Sequence, residues 1–248
     1  MTFVLGGVKI DSIGIEVLHE RIVSSVQSGC QTIICNANAN AIVLAQKNEE
    51  FKRALNAADI VFCDGFGVLA ASRFLGGDLR ERVTYADWME PLSALCEERG
   101  FSMFLLGGLD GIAAAAATRL LARHPRLTIA GTQHGYFEKT GAQNAQVIER
   151  INQVHPDVLL IGLGMPAQEV WLTQNRTQLN TRVMLPCGAC LDYVSGRARR
   201  GPRWMTNHGL EWLARLVLEP RRLGRRYTLG LLTFARIVLN QKLHPAKP

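Results

Sequence analysis

From the start of the chain to about Ser195, short runs rich in Val, Ile and Leu alternate with longer stretches whose apolar positions recur with helical period. A parallel sheet joined by crossover helices needs this alternation, because its strands are buried on both faces while each helix buries one stripe. Strands are expected at Thr32 to Cys35, Ile60 to Cys63, Ser102 to Leu106, Leu127 to Ala130, Val158 to Ile161 and Val183 to Leu185. Asn40 to Asn56 reads as one helix that turns Ile42, Leu44, Ala45, Phe51, Ala54 and Leu55 to a core and leaves Lys47, Glu49, Glu50, Lys52 and Arg53 in water. The alanine run Ala113 to Ala117 suits a helix lying close against the sheet. Phe3 to Ile10, with Gly6-Gly7 in its middle, reads as a small hairpin.

After Ser195 the pattern changes. Gly201-Pro202 breaks the chain, and Asn207 to Leu218 and Thr228 to Gln241 read as two helices separated by Pro220 and Gly224. The expected fold is therefore α/β: a Rossmann-like, mostly parallel sheet with flanking helices over residues 1–195, followed by a helical, arginine-rich appendage over 196–248.

A chain of 248 residues with 48% hydrophobic and 20% charged residues can bury one sizeable core. The first thirty residues lack a basic region leading into an apolar run and a cleavage site, so no secretory signal is expected. No apolar stretch approaches the roughly 20 residues that cross a bilayer, so membrane contact is expected to be peripheral. The six cysteines lie mostly in apolar runs and read as reduced core thiols in cytoplasm, the Cys187/Cys190 pair included. The formal net charge is +7, and between Ser195 and Tyr227 nine arginines face only Glu211 and Glu219, so that segment alone carries +7 and the rest is neutral. Such a localised charge points to phosphates or an anionic membrane surface as partner.

In an open α/β sheet, ligands bind outside the carboxyl ends of the strands. Three places qualify: Asn36-Ala37-Asn38, Asp64-Gly65-Phe66-Gly67, and Gly162-Leu163-Gly164-Met165-Pro166. At the second, a carboxylate leaves a buried strand and glycines open the way to backbone amides before a helix at Val68 to Leu75, whose N-terminus favours phosphate. Asp64 is read either as a helix cap or as a functional carboxylate. The glycines make no dinucleotide fingerprint, since Ala70 stands at the third glycine of G-x-G-x-x-G.

The run from Asn36 through Asp64-Gly-Phe-Gly to Leu79-Arg-Glu-Arg-Val83, then Gly164-Met-Pro-Ala-Gln-Glu169 and Trp171, and finally Gly209-Leu-Glu-Trp-Leu-Ala-Arg215 with Glu219-Pro-Arg-Arg222, resembles the WecG/TagA/CpsF glycosyltransferase family over nearly the whole chain. The resemblance implies a hexosyl- or N-acetylhexosaminyltransferase that is metal-independent and inverting. Its donor would be a UDP-sugar and its acceptor an undecaprenyl-diphosphate-linked sugar, in cell-surface polysaccharide or teichoic acid synthesis. It further implies Asp64 as base, Arg82 near the pocket, and Gln168 on a sugar hydroxyl or the uracil edge. Asn36, Asn38, Gly65, Gly164 and Asp192 are the other candidate substrate contacts, Asp192 being equally placed to cap a helix or meet an arginine. The chain departs from the family where many members have a threonine followed two residues later by Asn-Pro-Glu; here the run is Asn36-Ala37-Asn38-Ala39-Asn40.

By the same resemblance the appendage closes over the active site at the inner face of the cell membrane. Arg215, Arg222 and Arg225, spaced by seven and three, would share one face of a continuous helix and suit diphosphate oxygens. Leu229, Leu231, Leu232, Phe234, Ile237 and Val238 would enter the membrane interface, or else pack on the body or in a homo-oligomer. Two rival readings compete. A nucleotide-binding oxidoreductase lacks its glycine fingerprint. A peripheral nucleotide- or nucleic-acid-binding protein using the basic segment lacks any recognised motif, so no nucleic acid is expected as a partner.

Overall fold

The computed structural model describes residues 2–207, 213, 216–217 and 220–244, and at 203, 207, 220–223 and 225–228 it describes the backbone alone. Eight strands run in chain order as β1 (Thr2–Leu5), β2 (Val8–Asp11), β3 (Thr32–Ala37), β4 (Ile60–Cys63), β5 (Ser102–Gly107), β6 (Thr128–Gln133), β7 (Val158–Gly162) and β8 (Val183–Pro186). They form one sheet in the order β1-β2-β4-β3-β8-β7-β5-β6, parallel throughout except for the β1–β2 pair. The chain builds β3 and β4 outward in one direction, crosses over to β5 and β6, and returns through β7 and β8 to close beside β3. In an open α/β sheet the ligand crevice lies outside the carboxyl ends of the strands, here those of β3, β4, β7 and β8 around the middle of the sheet.

Alternation along each strand feeds two cores. Cys35, Val61, Cys63, Leu159 and Ile161 face one side, with Phe51, Leu55, Ile151, Trp171 and Leu172 of the helices α3 (Glu49–Asn56), α7 (Gly141–Val154) and α8 (Ala167–Asn175). Ile34, Phe62, Met103, Leu105 and Leu185 face the other side, with residues of α1 (Ile15–Ser28), α5 (Tyr85–Arg99), α6 (Ile112–Arg123) and α9 (Cys190–Val194). The expected α/β fold is thus the observed one, with helices on both faces. The opening hairpin is more than a preface, because β2 joins β4 and extends the sheet, while Asp11 accepts from the Val61 amide at 2.9 Å. Gly6 and Gly7 turn it with φ of 55° and 77°, as a two-residue turn between right-twisting strands requires.

Two expected helices came out differently. Asn40 to Asn56 is two helices, α2 (Ala39–Ala45) and α3, because the Asn48 side chain accepts from the Phe51 amide at 2.9 Å and starts a new helix there. The break expected at Pro220 and Gly224 is instead a helix start and a helix interior. After α4 (Phe66–Phe74) and α10 (Arg203–Asn207), helix α11 runs unbroken over Pro220–Leu243. Proline fits a first turn, where its missing N–H has no partner to lose, and one interior glycine costs only about 1 kcal/mol.

Helix α11 lies back on the body. Phe234 and Val238 are buried and Ile237 packs beside them on the core that contains α2, while Gln241 accepts from the Gly6 amide at 2.9 Å and donates to the Val4 carbonyl at 2.7 Å. Of the apolar residues expected at a membrane interface, Phe234, Ile237 and Val238 therefore belong to the fold. Leu229, Leu231 and Leu232 remain exposed, joined by Leu239 and Leu243. No helix among the described residues is long and apolar enough to cross a membrane.

Candidate active site

The first wall of the crevice is built by β3 and β4. Their parallel register sets Asn36 opposite Phe62 and Ala37 opposite Cys63, so the next residue, Asp64, emerges beside Asn36 and Asn38 and is tied down by its amide to the Ala37 carbonyl at 2.9 Å. Oδ2 of Asp64 accepts from Asn36 Nδ2 at 2.6 Å and lies 3.4 Å from Asn38 Nδ2. Asn38 also caps α2, its Oδ1 accepting from the Ala41 amide at 3.0 Å. Asp64 itself is not the cap of the following helix: Gly65 is, with φ of 94° and no side-chain bond to the first-turn amides. Asn36 is buried, and its Oδ1 has no donor among the described residues. Cys63 lies beneath; its thiol is pushed up to about 12, by burial first and the Asp64 charge next, against a smaller pull from Arg82.

Arg82 reaches the same wall from the loop before α5, where the Val83 amide bonds to the Cys63 carbonyl at 2.8 Å. Its guanidinium lies 4.3 Å from the centre of the Phe66 ring and donates to the Thr206 carbonyl of α10 at 3.1 Å. The charged run 78–82 is thus not merely a solvated surface, since its last arginine joins the start of α4 to the neck of the appendage. A second tie holds that neck: Arg200 meets Asp87 through two contacts of 2.5 and 2.8 Å, and Thr84 donates to the same carboxylate at 2.7 Å. The Asp87 carboxyl is held down at about 2, chiefly by Arg200.

The second wall is built by β7 and β8. Gly164 and Gly188, just past these strands, adopt φ of 79° and 58°, and a Cβ on either would meet nothing within 4 Å among the described residues. Their amides point inward to a single acceptor, Oε1 of Gln168, at 3.1 and 3.0 Å. Gln168 has no exposed surface, and its Nε2 donates to Glu169 Oε1 at 2.8 Å. Glu169 is also buried, which pushes its carboxyl up to about 7, and its Oε2 has no partner among the described residues. Asp192, on α9, stands near enough for its charge to push the Cys187 thiol further up, and its carbonyl accepts from the Ala198 amide at 3.0 Å. Cys187 and Cys190 are buried and unbridged.

Asn36, Asn38 and Asp64 are thus in direct contact, with Gly65 and Arg82 alongside; Gly164 and Gln168 form a second group across β8, flanked by Asp192. Arg222 and Arg225 are positions on one continuous helix, and Arg215 lies outside the described residues. Sequence reasoning missed the seam that joins the strand ends. The Gly135 amide bonds to the Gly108 carbonyl at 2.8 Å, the Gly108 amide to the Gly162 carbonyl at 3.3 Å, and a Cβ on Gly107 would come within 2.6 Å of the Gly162 carbonyl oxygen. The paired Gly107-Gly108 directly after an apolar run was the available signal. Asp87 and Arg200, too far apart in sequence to suggest a pair, left none.

A mostly parallel sheet with helices on both faces, carrying a carboxylate and glycines just past its strand ends, defines an α/β protein of Rossmann-like class. The sequence narrows this: residues 3–248 match the model of the Glycosyl transferase WecG/TagA/CpsF family, and the chain belongs to that family and is a glycosyltransferase. It is 25% identical, over 96% of this chain and 96% of its own length, to a protein of Staphylococcus aureus strain MRSA252 named N-acetylglucosaminyldiphosphoundecaprenol N-acetyl-beta-D-mannosaminyltransferase. The same name, identity and coverage apply to the protein of strain NCTC 8325 / PS 47.

Proposed function

We propose that this chain moves a sugar from a UDP-sugar onto a sugar carried by undecaprenyl diphosphate, with inversion and without a metal ion, at the cytoplasmic face of the membrane. The observation that carries the reading is the Asp64 carboxylate, held by Asn36 and Asn38 at the carboxyl ends of the paired strands β3 and β4. The names of the Staphylococcus aureus relatives support a lipid-diphosphate acceptor and an envelope-polymer setting; the donor sugar is what the screen below identifies.

In this mechanism the acceptor hydroxyl oxygen attacks the anomeric carbon from the face opposite UDP. Its proton passes to Asp64 as the bond from the anomeric carbon to the diphosphate oxygen breaks, and UDP leaves with the electron pair. The developing negative charge needs donors already in place. The N-terminus of α4, whose cap Gly65 has no side chain, and the Arg82 guanidinium over Phe66 would supply them. Asn36 Oδ1, buried without a donor among the described residues, suits a substrate hydroxyl. Gly164 and Asp192 border the donor from the second wall, and Arg222 and Arg225, with Arg215, meet the acceptor diphosphate. In this reading arginine, not a metal ion, meets that charge.

The test is a thermal-shift screen of UDP-sugars followed by transfer assays in excess EDTA with wild type and Asp64→Asn. Expected are a UDP-sugar that stabilises both proteins, EDTA-resistant transfer by wild type, and a loss of roughly two to four powers of ten in the variant. Near wild-type turnover by Asp64→Asn removes the base, and activity restored only by magnesium or manganese removes the metal-free mechanism.

A further inference from the structure

The second wall contains a side chain whose polar ends serve the fold. Oε1 of Gln168 accepts from Gly164 and Gly188, each two residues past one of two neighbouring strands, so a single oxygen joins the loops after β7 and β8. Both glycines have left-handed backbones with open space where a Cβ would stand, so any larger side chain would be strained and would fill that space. Their amides, turned inward to Gln168, are not available to a ligand's phosphates. What each loop offers the crevice is its glycine surface, and what fixes that surface is the amide oxygen behind it.

An amide can also be turned the other way, presenting Nε2 to two N–H groups, a clash of donors. Glu169 removes that alternative: its Oε1 lies 2.8 Å from Gln168 Nε2 and accepts from it, which leaves Oε1 of Gln168 for the glycines. Both side chains are buried, at 0% and 1% exposure, so water does not replace either contact cheaply.

We propose that Gln168 and Glu169 are a pair of positioning residues, Gln168 clamping the Gly164 and Gly188 amides and Glu169 setting the orientation of the Gln168 amide, so that together they shape the second wall of the crevice. The pair acts through the glycine loops and does not bind a substrate hydroxyl or base edge through the Gln168 amide. The idea rests on the glycosyl-transfer reading, and the experiment separates the two.

Exchanging the two residues is the discriminating change. Gln168→Glu alone keeps an acceptor for the glycines but turns its second oxygen on the Glu169 carboxyl, so the two hold together only while they share a proton. Among the described residues, Cys35 of β3 also feels the Glu169 charge, and burial keeps its thiol neutral. In the double variant Gln168→Glu with Glu169→Gln, the new carboxylate accepts from both glycines and the new amide donates to it, restoring every bond with the roles reversed.

The measurements are amide hydrogen exchange at Gly164 and Gly188, and kcat with the UDP-sugar found by the screen, at pH 6 and pH 8. Expected for Gln168→Glu are faster exchange at both glycines and kcat reduced about tenfold or more at pH 8, less at pH 6; the double variant should return slow exchange and kcat to within about threefold of wild type. Slow glycine exchange in the double variant with activity still lost means that the Gln168 amide touches substrate, and overturns the proposal. Unchanged exchange in Gln168→Glu and in Gln168→Ala overturns the clamp itself. If wild type transfers no sugar from any donor, the glycosyl-transfer reading fails instead, while the exchange data still judge the clamp.

Discussion

Asp87 and Glu169 flank the crevice, and their surroundings push them in opposite directions. Asp87 accepts from Arg200 and Thr84 and is held at about 2, below its ordinary 3.8, so its contribution is present above about pH 4 and is lost as pH falls from there toward 2. Glu169 is raised by burial from 4.5 to about 7. Below 4.5 it is protonated whether folded or not; between 4.5 and 7 only the unfolded chain releases the proton, so stability declines as pH rises, then levels off. Unfolding midpoints measured from pH 3 to pH 8 should therefore show that Glu169→Gln removes the decline and leaves the variant more stable at pH 8, by as much as roughly 3 kcal/mol. Asp87→Asn should instead flatten only the acid limb. Parallel curves for wild type and Glu169→Gln would mean that Glu169 is ionised in the folded protein. The same residues mark how far the site could be read beforehand. Asn36, Asp64 and Gly164 announce themselves by standing just past apolar runs, a local signal. The inward turn of Gln168 depends on Gly188, and the tie of Asp87 on Arg200, and no periodicity encodes contacts between such distant positions.

At the scale of elements, the strands were legible because each is an apolar run bounded by polar residues, and Ile60–Cys63 has the expected bounds. Helix breaks were less so, because they turn on single side chains. Asn48 divides α2 from α3 by capping, yet its polar neighbours fit equally well on the solvated face of one longer helix. Helix α11 is the opposite case, continuous across a proline and a glycine that suggested a division. Its packing also sorts its apolar residues by job. Phe234 lies against Gly67 and the α2 face and is 8% exposed, so Phe234→Ala should cost about 3 kcal/mol in a urea melt. Leu232 is 71% exposed, and Leu232→Ser with Leu239→Ser should each move stability by no more than about 0.5 kcal/mol while reducing flotation with vesicles. Full flotation of the leucine double variant would deny this face a membrane role.

For the molecule as a whole, the proposed membrane contact turns on the asymmetry of charge. Residues 195–227 hold nine arginines against two glutamates and account for the entire +7, but this count overstates what a partner feels. Arg200 is committed to Asp87 on the body, where it anchors the neck. Helix α11 then carries Arg222 and Arg225 near its start and exposed leucines further along, with Gln241 and Lys242 fastening its far end to the Val4 and Phe74 carbonyls. Because α11 supplies Phe234 and Val238 to the core, removing the appendage would uncover the α2 face as well as delete the charge, so truncation is a poor test of docking. Substitution in the intact chain is cleaner. Arg222→Ala with Arg225→Ala should weaken binding to phosphatidylserine vesicles by about 1 kcal/mol per residue at low salt. The difference from wild type should shrink as salt shortens the screening length from about 30 Å at 0.01 M to about 8 Å at 0.15 M. The leucine variants should lose binding at both salt concentrations, since apolar insertion is not screened. If the two arginines also hold the acceptor diphosphate, the same double variant should transfer poorly to a short-chain acceptor with no vesicles present, by about 1.5 to 3 kcal/mol for each charge-assisted bond lost. Undiminished transfer to that acceptor, alongside weakened vesicle binding, would leave these arginines a docking role alone and assign the diphosphate to Arg82 and the α4 amides.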